Sequence, residues 1–441
     1  MRGHVKKARG AGDAGMRRRR AAKGDAMGQA GEGNERWRRR LRVAMWLFAA
    51  ACAFTGFYTG VTDSVLANYF KDAYDVTARQ RGFIEFPRET PGVLSLLVIS
   101  ALAFLKDIRT AIVAQILGAV GLVVLGLWHP SYAVMLAFLF IFSLGQHMFM
   151  PLGDSIGLSL ARRENMGRVL GRFNSVRMAF GMLAGLVCFF GFRWGFLDFE
   201  TPVLIFLVCA ACFALTGALL YALHRTAGRA AEEGQPPAKL VFRKEYMRYY
   251  VLCALFGGRK QIMYVFSPWV LIDLLDFKAD VMSILAVVGS FIGVFFLPFI
   301  GRLIDRMGAR KVMMIEAAAF VAIYVAYGGL SKWVDENAVV LTGAGMLLVY
   351  LLNIIDKMCA QFYMVRSIYM KAVARTPEDV TPSLSAGMAI DHVLAILGSA
   401  LCGLVWAAWG PEYVFLVAGL LSLANFVVAA GIPETPRVAG D

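Results

Sequence analysis

Twelve apolar runs separated by short polar loops occupy most of the chain and leave almost no room for a soluble fold. A helix that crosses a bilayer needs about 20 mostly apolar residues. The pattern places such spans at 43–66, 78–105, 110–128, 131–158, 167–192, 201–224, 247–273, 280–302, 311–330, 337–370, 383–409 and 412–431. In hydrocarbon each backbone N–H and C=O must find its partner within the protein, so runs of this length read as helices. Composition agrees: 59% of the residues are hydrophobic and 17% charged, too apolar for a soluble chain of 441 residues. The fourth, seventh and tenth spans are long and are expected to tilt or to project beyond the bilayer.

The loop charges test this count. Loops on one side carry 18 basic residues, among them Lys106, Arg109, Arg162, Arg163, Arg302 and Arg375. Those on the other side carry 6: Lys71, Arg79, Arg81, Arg193, Lys278 and Lys332. Short basic loops stay cytoplasmic, so both termini are expected inside a plasma or inner membrane. Residues 1–42 hold 14 Lys/Arg against 4 Asp/Glu and supply most of the net charge of +14. Rich in Gly and Ala, this segment is expected to be a disordered tail that meets anionic lipid or anchors the topology. The charge therefore does not point to nucleic acid. All seven cysteines fall inside predicted spans, so no disulfide framework is implied, and their spacing suits no metal site. Neither a metal nor an organic cofactor is expected.

Residues 225–246 form the longest polar interruption after the tail and divide the spans into six-helix bundles at 43–224 and 247–432, followed by a short end at 433–441. Between the eighth and ninth spans lies Gly301-Arg-Leu-Ile-Asp305-Arg306-Met-Gly308-Ala-Arg310-Lys311. This stretch resembles the signature loop of the major facilitator superfamily, G-x-L-x-D-R-x-G-x-R-[RK]. A shift of 198 residues lays the loop at Asp107 on it, with Leu105 and Asp107 kept but Ala103, Ile108 and Thr110 at other key places. The resemblance implies an all-α integral membrane fold of two pseudo-symmetric six-helix bundles, with a substrate site between them near the midplane. It also implies that Asp305 is a gating acid, with Arg306 and Arg310 around it.

Ionisable residues inside a span cost about 2.5–3.5 kcal/mol each on insertion scales, so they usually face a cavity or a partner. In the second span Glu85, Arg88 and Glu89 share a helical face beside Pro87 and Pro91. One arginine cannot neutralise two carboxylates, so one glutamate is expected to carry protons; a static salt-bridge cluster is the alternative. The fourth span offers Gln146 and His147, with Asp154 expected to pair with loop arginines. In the seventh, Arg259 or Lys260 is expected to meet an anionic group of the substrate, or to pair with Asp356. The tenth carries Asn353, Asp356 and Lys357 on a broad polar face. Arg177 of the fifth span echoes Asp391 of the eleventh, where His392 follows, and an ion pair between the halves is one reading. Asp63, near the end of the first span, is a weaker candidate. Gly181 and Gly185, like Gly289 and Gly293, suit close helix crossings. Trp46, Trp194, Trp269 and Trp333 suit interface anchors and cavity walls.

The pattern fits a monomeric secondary transporter that moves a small polar, anionic solute by alternating access, coupled to protons. No phosphate-binding G-x-x-x-x-G-K-[ST] stretch occurs. A drug or lipid exporter on the same fold is the alternative; a membrane enzyme or sensor lacks the catalytic spacing or the added soluble domain it would need.

Overall fold

A computed structural model describes residues 4–161, 166–227, 242–337, 343–376 and 379–432, and within them the chain is helical apart from short connections. The first bundle comprises α1 (His4–Tyr74), α2 (Ala78–Ala101), α3 (Lys106–Leu127), α4 (Tyr132–Ser159), α5 (Met166–Arg193) and α6 (Leu204–Ala227). The second begins with α7, which runs as Met247–Gln261 and continues through two π-helical turns to Leu274. A continuous stretch, Ala279–Asn337, holds α8 (279–307) and α9 (309–337), parted at Gly308 with φ 79°. After these come α10 (344–373, tightened at 361–363), α11 (Val380–Trp409) and α12 (Pro411–Ala430).

Local chemistry explains the joints. Thr77 caps α2 through a reciprocal pair, its hydroxyl accepting from the Gln80 backbone while the Gln80 side chain accepts from the Thr77 N–H. Gly308 supplies the left-handed backbone that a side chain resists, so the loop motif breaks one long rod into two helices. Among the described residues, ten helical stretches are long and apolar enough to cross a membrane by composition. α2 and α7 do not qualify, because buried charges, prolines or π turns interrupt them. Both are membrane-length segments whose sequence gives up greasiness for chemistry.

The helix assignment of α1 reaches back to His4, so the backbone of the basic segment is helical where an irregular tail was expected; its alanines, arginines and methionines are strong helix formers. The side chains of 1–38 lie outside the described residues, as do Arg162, Arg163 and most of the 225–246 connection.

Within each bundle the first helix crosses the fifth at glycine. A methyl on Gly56 of α1 would overlap the Arg177 carbonyl of α5, and Gly60 meets Gly181. In the second bundle a methyl on Gly257 of α7 would overlap the Asp391 carbonyl of α11, and Gly258 meets Gly398. Arg177 and Asp391 are thus pseudo-equivalent positions, each with its backbone against a glycine of the first helix of its half. Between the bundles α2 packs on α11 and α5 on α8.

We call the end with the 301–311 loop the basic end and the opposite one the far end. Polar clasps between the halves gather at the far end. Asn68 donates to the Phe277 carbonyl at 2.8 Å, Lys71 meets Asp273 at 2.7 Å, Arg193 meets Asp280 at 3.6 Å, and Ser399 donates to the Gly82 carbonyl at 3.1 Å.

Candidate functional site

Five ionic groupings occupy the interior, and most of them depart from the pairings expected of the sequence. Glu85 on α2 sits between two arginines: Arg81 donates to it at 2.6 Å and Arg88 at 2.8 Å. The Arg81 side chain is 2% exposed, so it is no loop residue. One helical turn inside the start of α2, it stacks near Phe70 and Trp269. Trp269 is therefore buried, whereas Trp46, Trp194 and Trp333 are exposed as interface anchors would be. With two arginines on one glutamate, the expected excess of carboxylate becomes an excess of one positive charge. Arg88, 29% exposed, carries that excess toward the space between the halves.

Among the described residues, Glu89 has no arginine at hydrogen-bond distance. Its Oε2 lies 2.9 Å from Nδ1 of His392 on α11, a contact that joins the two halves in mid-structure. His147 on α4 stands nearby, its ring centroid 5.8 Å from that of His392. Both rings lean over Gly92, where a methyl would come within 3.1 Å of either. Pro87 and Pro91 offer no N–H to the Phe83 and Pro87 carbonyls, and Ser143 of α4 donates to the neighbouring Arg88 carbonyl.

In the second half Arg259 is 1% exposed and bonds Glu316 of α9 at 2.6 Å; Arg366 of α10 bonds the same carboxylate at 2.8 Å. The guanidinium groups stack on Phe320 and Phe256. Arg259 is thus sealed from any substrate, and it pairs with Glu316 rather than Asp356. Its neighbour Lys260, about 100° around the helix, pairs with Asp391 of α11 at 2.7 Å.

That pair overturns the expected ion pair between Arg177 and Asp391. Arg177 instead faces Asp154 at 4.0 Å, within its own half. The echo between the two positions is real, but it relates the halves by symmetry and not by contact. Asp154 pairs with an in-span arginine rather than a loop one.

Around the midplane two further groups face the space between the bundles. Asp63 of α1 is exposed and lies within electrostatic range of Arg88 and of Lys357 on α10. Lys357 threads past Gly289 of α8, where an added methyl would stand 3.0 Å from its Cδ. Asp356 and Asn353 of α10 are buried. Gln146 is half-buried on α4. A cavity of about 260 Å³ opens between α1, α5 and α8, lined by Asp63, Ser64, Arg177, Gly181 and Ser290. A larger one, about 730 Å³, lies at the far end among Asp72, His129, Glu200 and Lys278, away from the midplane charges.

The gating loops reverse their expected ranking. Asp107, from the weaker copy, opens α3 and accepts a hydrogen bond from Ser155 of α4. Asp305 and Arg306, from the complete copy, are exposed, and Asp305 makes no ion pair among the described residues; Arg310 is half-buried. With α8 and α9 end to end at Gly308, the motif here holds a helix break open to solvent.

By sequence, Arg81 counts among the loop residues, and neither Glu316 nor Arg366 is among the candidates. Glu316 and Arg366 lie inside predicted spans, so the rule that singled out Glu85 applies to them equally. His392 was noted only as the neighbour of Asp391.

The profile of the Major Facilitator Superfamily matches residues 47–371. No curated protein sequence matches the chain. Among solved structures, the nucleoside transporter NupG superposes with a TM-score of 0.67 at 16% identity, over 87% of this chain and 98% of that one. An auto-inhibited POT family peptide transporter gives 0.68 at 12% identity, over 91% and 99%. A D-xylose–proton symporter gives 0.63 at 13% identity, over 90% and 98%. These likenesses establish the fold, and the profile match establishes the family. The chain belongs to the major facilitator superfamily and is a multi-pass membrane transporter, not an enzyme.

Proposed function

We propose that this transporter moves a small polar solute bearing a negative group by alternating access, with protons as the coupling ion. One observation carries the reading. Asp63 faces the space between the bundles without an ion pair among the described residues, in range of two cations from opposite halves, Arg88 and Lys357. An ionised Asp63 competes with an anionic solute for those cations. A protonated Asp63 releases them. Proton and anion then bind together, and the pair crosses with little net change in local charge. Because Glu85 neutralises only one of its two arginines, Arg88 keeps a charge to offer the solute.

We read the clasps at the far end, with Asp154 52% exposed nearer the basic end, as a state open toward the basic end. Basic loops stay cytoplasmic, so the basic end is the cytoplasmic one and this state is inward-facing, in a plasma or inner membrane with both termini inside. The D-xylose–proton symporter of similar fold is proton-coupled by name, which is consistent with this reading.

Proteoliposomes test it. Under an imposed pH gradient, radiolabelled organic acids and phosphate esters are offered as a panel. The expected result is gradient-driven accumulation of at least one anion, collapsed by a protonophore. Asp63→Asn is expected to keep counterflow exchange of that anion and lose accumulation. Wild-type accumulation by Asp63→Asn overturns the coupling role.

A further inference from the structure

Glu89, His147 and His392 are not used by the anion reading, and the fold brings them together from α2, α4 and α11. One ligand atom from each lies within 4.8 Å of the other two. We propose that these three side chains form a site for a first-row divalent transition-metal ion of the zinc or cobalt class, bridging the two halves in mid-structure.

Donor chemistry supports this. Two imidazoles and one carboxylate make a three-ligand set that leaves coordination positions open to water or solute, as catalytic and exchangeable sites do. His147 is already oriented: its Nδ1 lies 2.9 Å from the Ser143 carbonyl, which fixes the tautomer and leaves Nε2 with its lone pair. The Ser143 hydroxyl, 3.1 Å from the same Nδ1, also bonds the Arg88 carbonyl and so ties α4 to the proline-bearing stretch of α2. Gly92 lets both rings approach where any side chain would push them apart.

The surrounding charges permit it. Lys260 and Arg88 lie within electrostatic range of Glu89. Neither makes a hydrogen bond to it: Lys260 bonds Asp391 at 2.7 Å and Arg88 bonds Glu85 at 2.8 Å. Among the described residues the hydrogen bond of the Glu89 carboxylate is to His392, so a metal ion at this place would meet a carboxylate already turned toward the imidazoles. Bonds of about 2.0–2.2 Å to nitrogen and oxygen bring ligand atoms to about 3.3–3.5 Å of one another. From separations of up to 4.8 Å the set must close by as much as about 1.4 Å, while the Glu89–His392 pair at 2.9 Å must open slightly; side-chain rotation and a small rocking of α2 against α11 supply both. The Glu89–His392 hydrogen bond is the contact a metal ion would replace.

The site spans a boundary that opens and closes during transport, so metal binding is expected to be tightest in one state of the cycle. It does not depend on Asp63 or on an anionic solute, and its test needs no transport.

Untagged full-length protein in detergent is titrated with cobalt(II) chloride and followed by visible d–d absorption. The expected result is one cobalt ion per chain, displaced by zinc. His147→Ala, His392→Ala and Glu89→Gln are each expected to weaken binding at least tenfold, while His129→Ala and His224→Ala leave it unchanged. Circular dichroism establishes that each variant is folded. Three substitutions on three helices keep the test decisive should one of them misfold. Absence of a d–d band in the wild type overturns the proposal, as does binding that survives the His147→Ala/His392→Ala double substitution.

Discussion

In the first half Glu85 lies between Arg81 and Arg88, all on α2; in the second, Glu316 lies between Arg259 and Arg366, drawn from α9, α7 and α10. The distances match to the decimal place, 2.6 and 2.8 Å in each, yet the settings differ. Arg88 is 29% exposed toward the inter-half space, whereas no side chain of the second cluster exceeds 5%. The first cluster draws its members from one helix turn by turn, so it prepares a charge on that helix without tying helices together. The second pins three helices of one bundle through a single carboxylate. A rocking-bundle transporter needs both kinds of part: bundles stiff enough to move as bodies, and a charged wall that changes its exposure as they move.

The sharpest way to break the comparison is to remove the central carboxylate from each cluster. Glu316→Gln leaves two arginines buried with one neutral partner. Breaking a buried ion pair by removing one member costs about 3–5 kcal/mol, because the remaining charge is uncompensated. Thermal unfolding in detergent is expected to shift down strongly, with loss of folded yield. Glu85→Gln is expected to cost less, since Arg88 can turn to water. Equal loss of stability in both variants would show that the first cluster is as structural as the second.

A milder pair separates binding from stability. Arg88→Lys keeps the charge but loses the planar fork that grips carboxylate or phosphate. It is expected to unfold like the wild type and to bind the proposed anionic solute about tenfold more weakly. Arg259→Lys is expected to do the reverse, lowering the unfolding temperature with anion affinity unchanged once the protein is folded. Affinity measured by counterflow and stability measured by thermal unfolding check the two together.

These contrasts show what the sequence can and cannot display. Hydropathy placed the helices, because burying backbone in lipid demands long apolar runs whatever the tertiary contacts. The loop pattern placed Gly308, a backbone requirement written in one residue. Partners were another matter. Arg177 and Asp391 occupy matching places in the two halves, and matching was read as meeting, yet each found an opposite charge within its own bundle. Glu316 pairs across 57 residues with Arg259 and across 50 with Arg366, separations that no helical period encodes. Arg81 was assigned to a loop because a charge at the edge of a span looks solvated. The predicted span and α2 both start at 78, so what the sequence hides is the direction of the side chain, which turns inward onto Glu85. The Glu89, His147 and His392 grouping draws on three helices, so cysteine and histidine spacing along the chain gave no sign of it.

The smallest expected difference lies in the aromatic packing around the two clusters. Phe256 presents its ring to the Arg366 guanidinium at 3.8 Å and to that of Arg259 at 5.6 Å. In the first cluster Phe70 and Trp269 stand farther from Arg81, at 5.7 and 5.9 Å. A desolvated cation over an aromatic face is worth about 0.5–2 kcal/mol and fades toward about 6 Å. Phe256→Leu keeps an apolar side chain but removes the ring from two arginines at once, so a downward shift in unfolding temperature is expected. Phe70→Leu removes one distant contact and is expected to shift it less. If the two substitutions act alike, ring volume rather than charge governs both positions, and the cation–ring contact that matters in the second cluster is that of Phe320 with Arg259, at 4.0 Å.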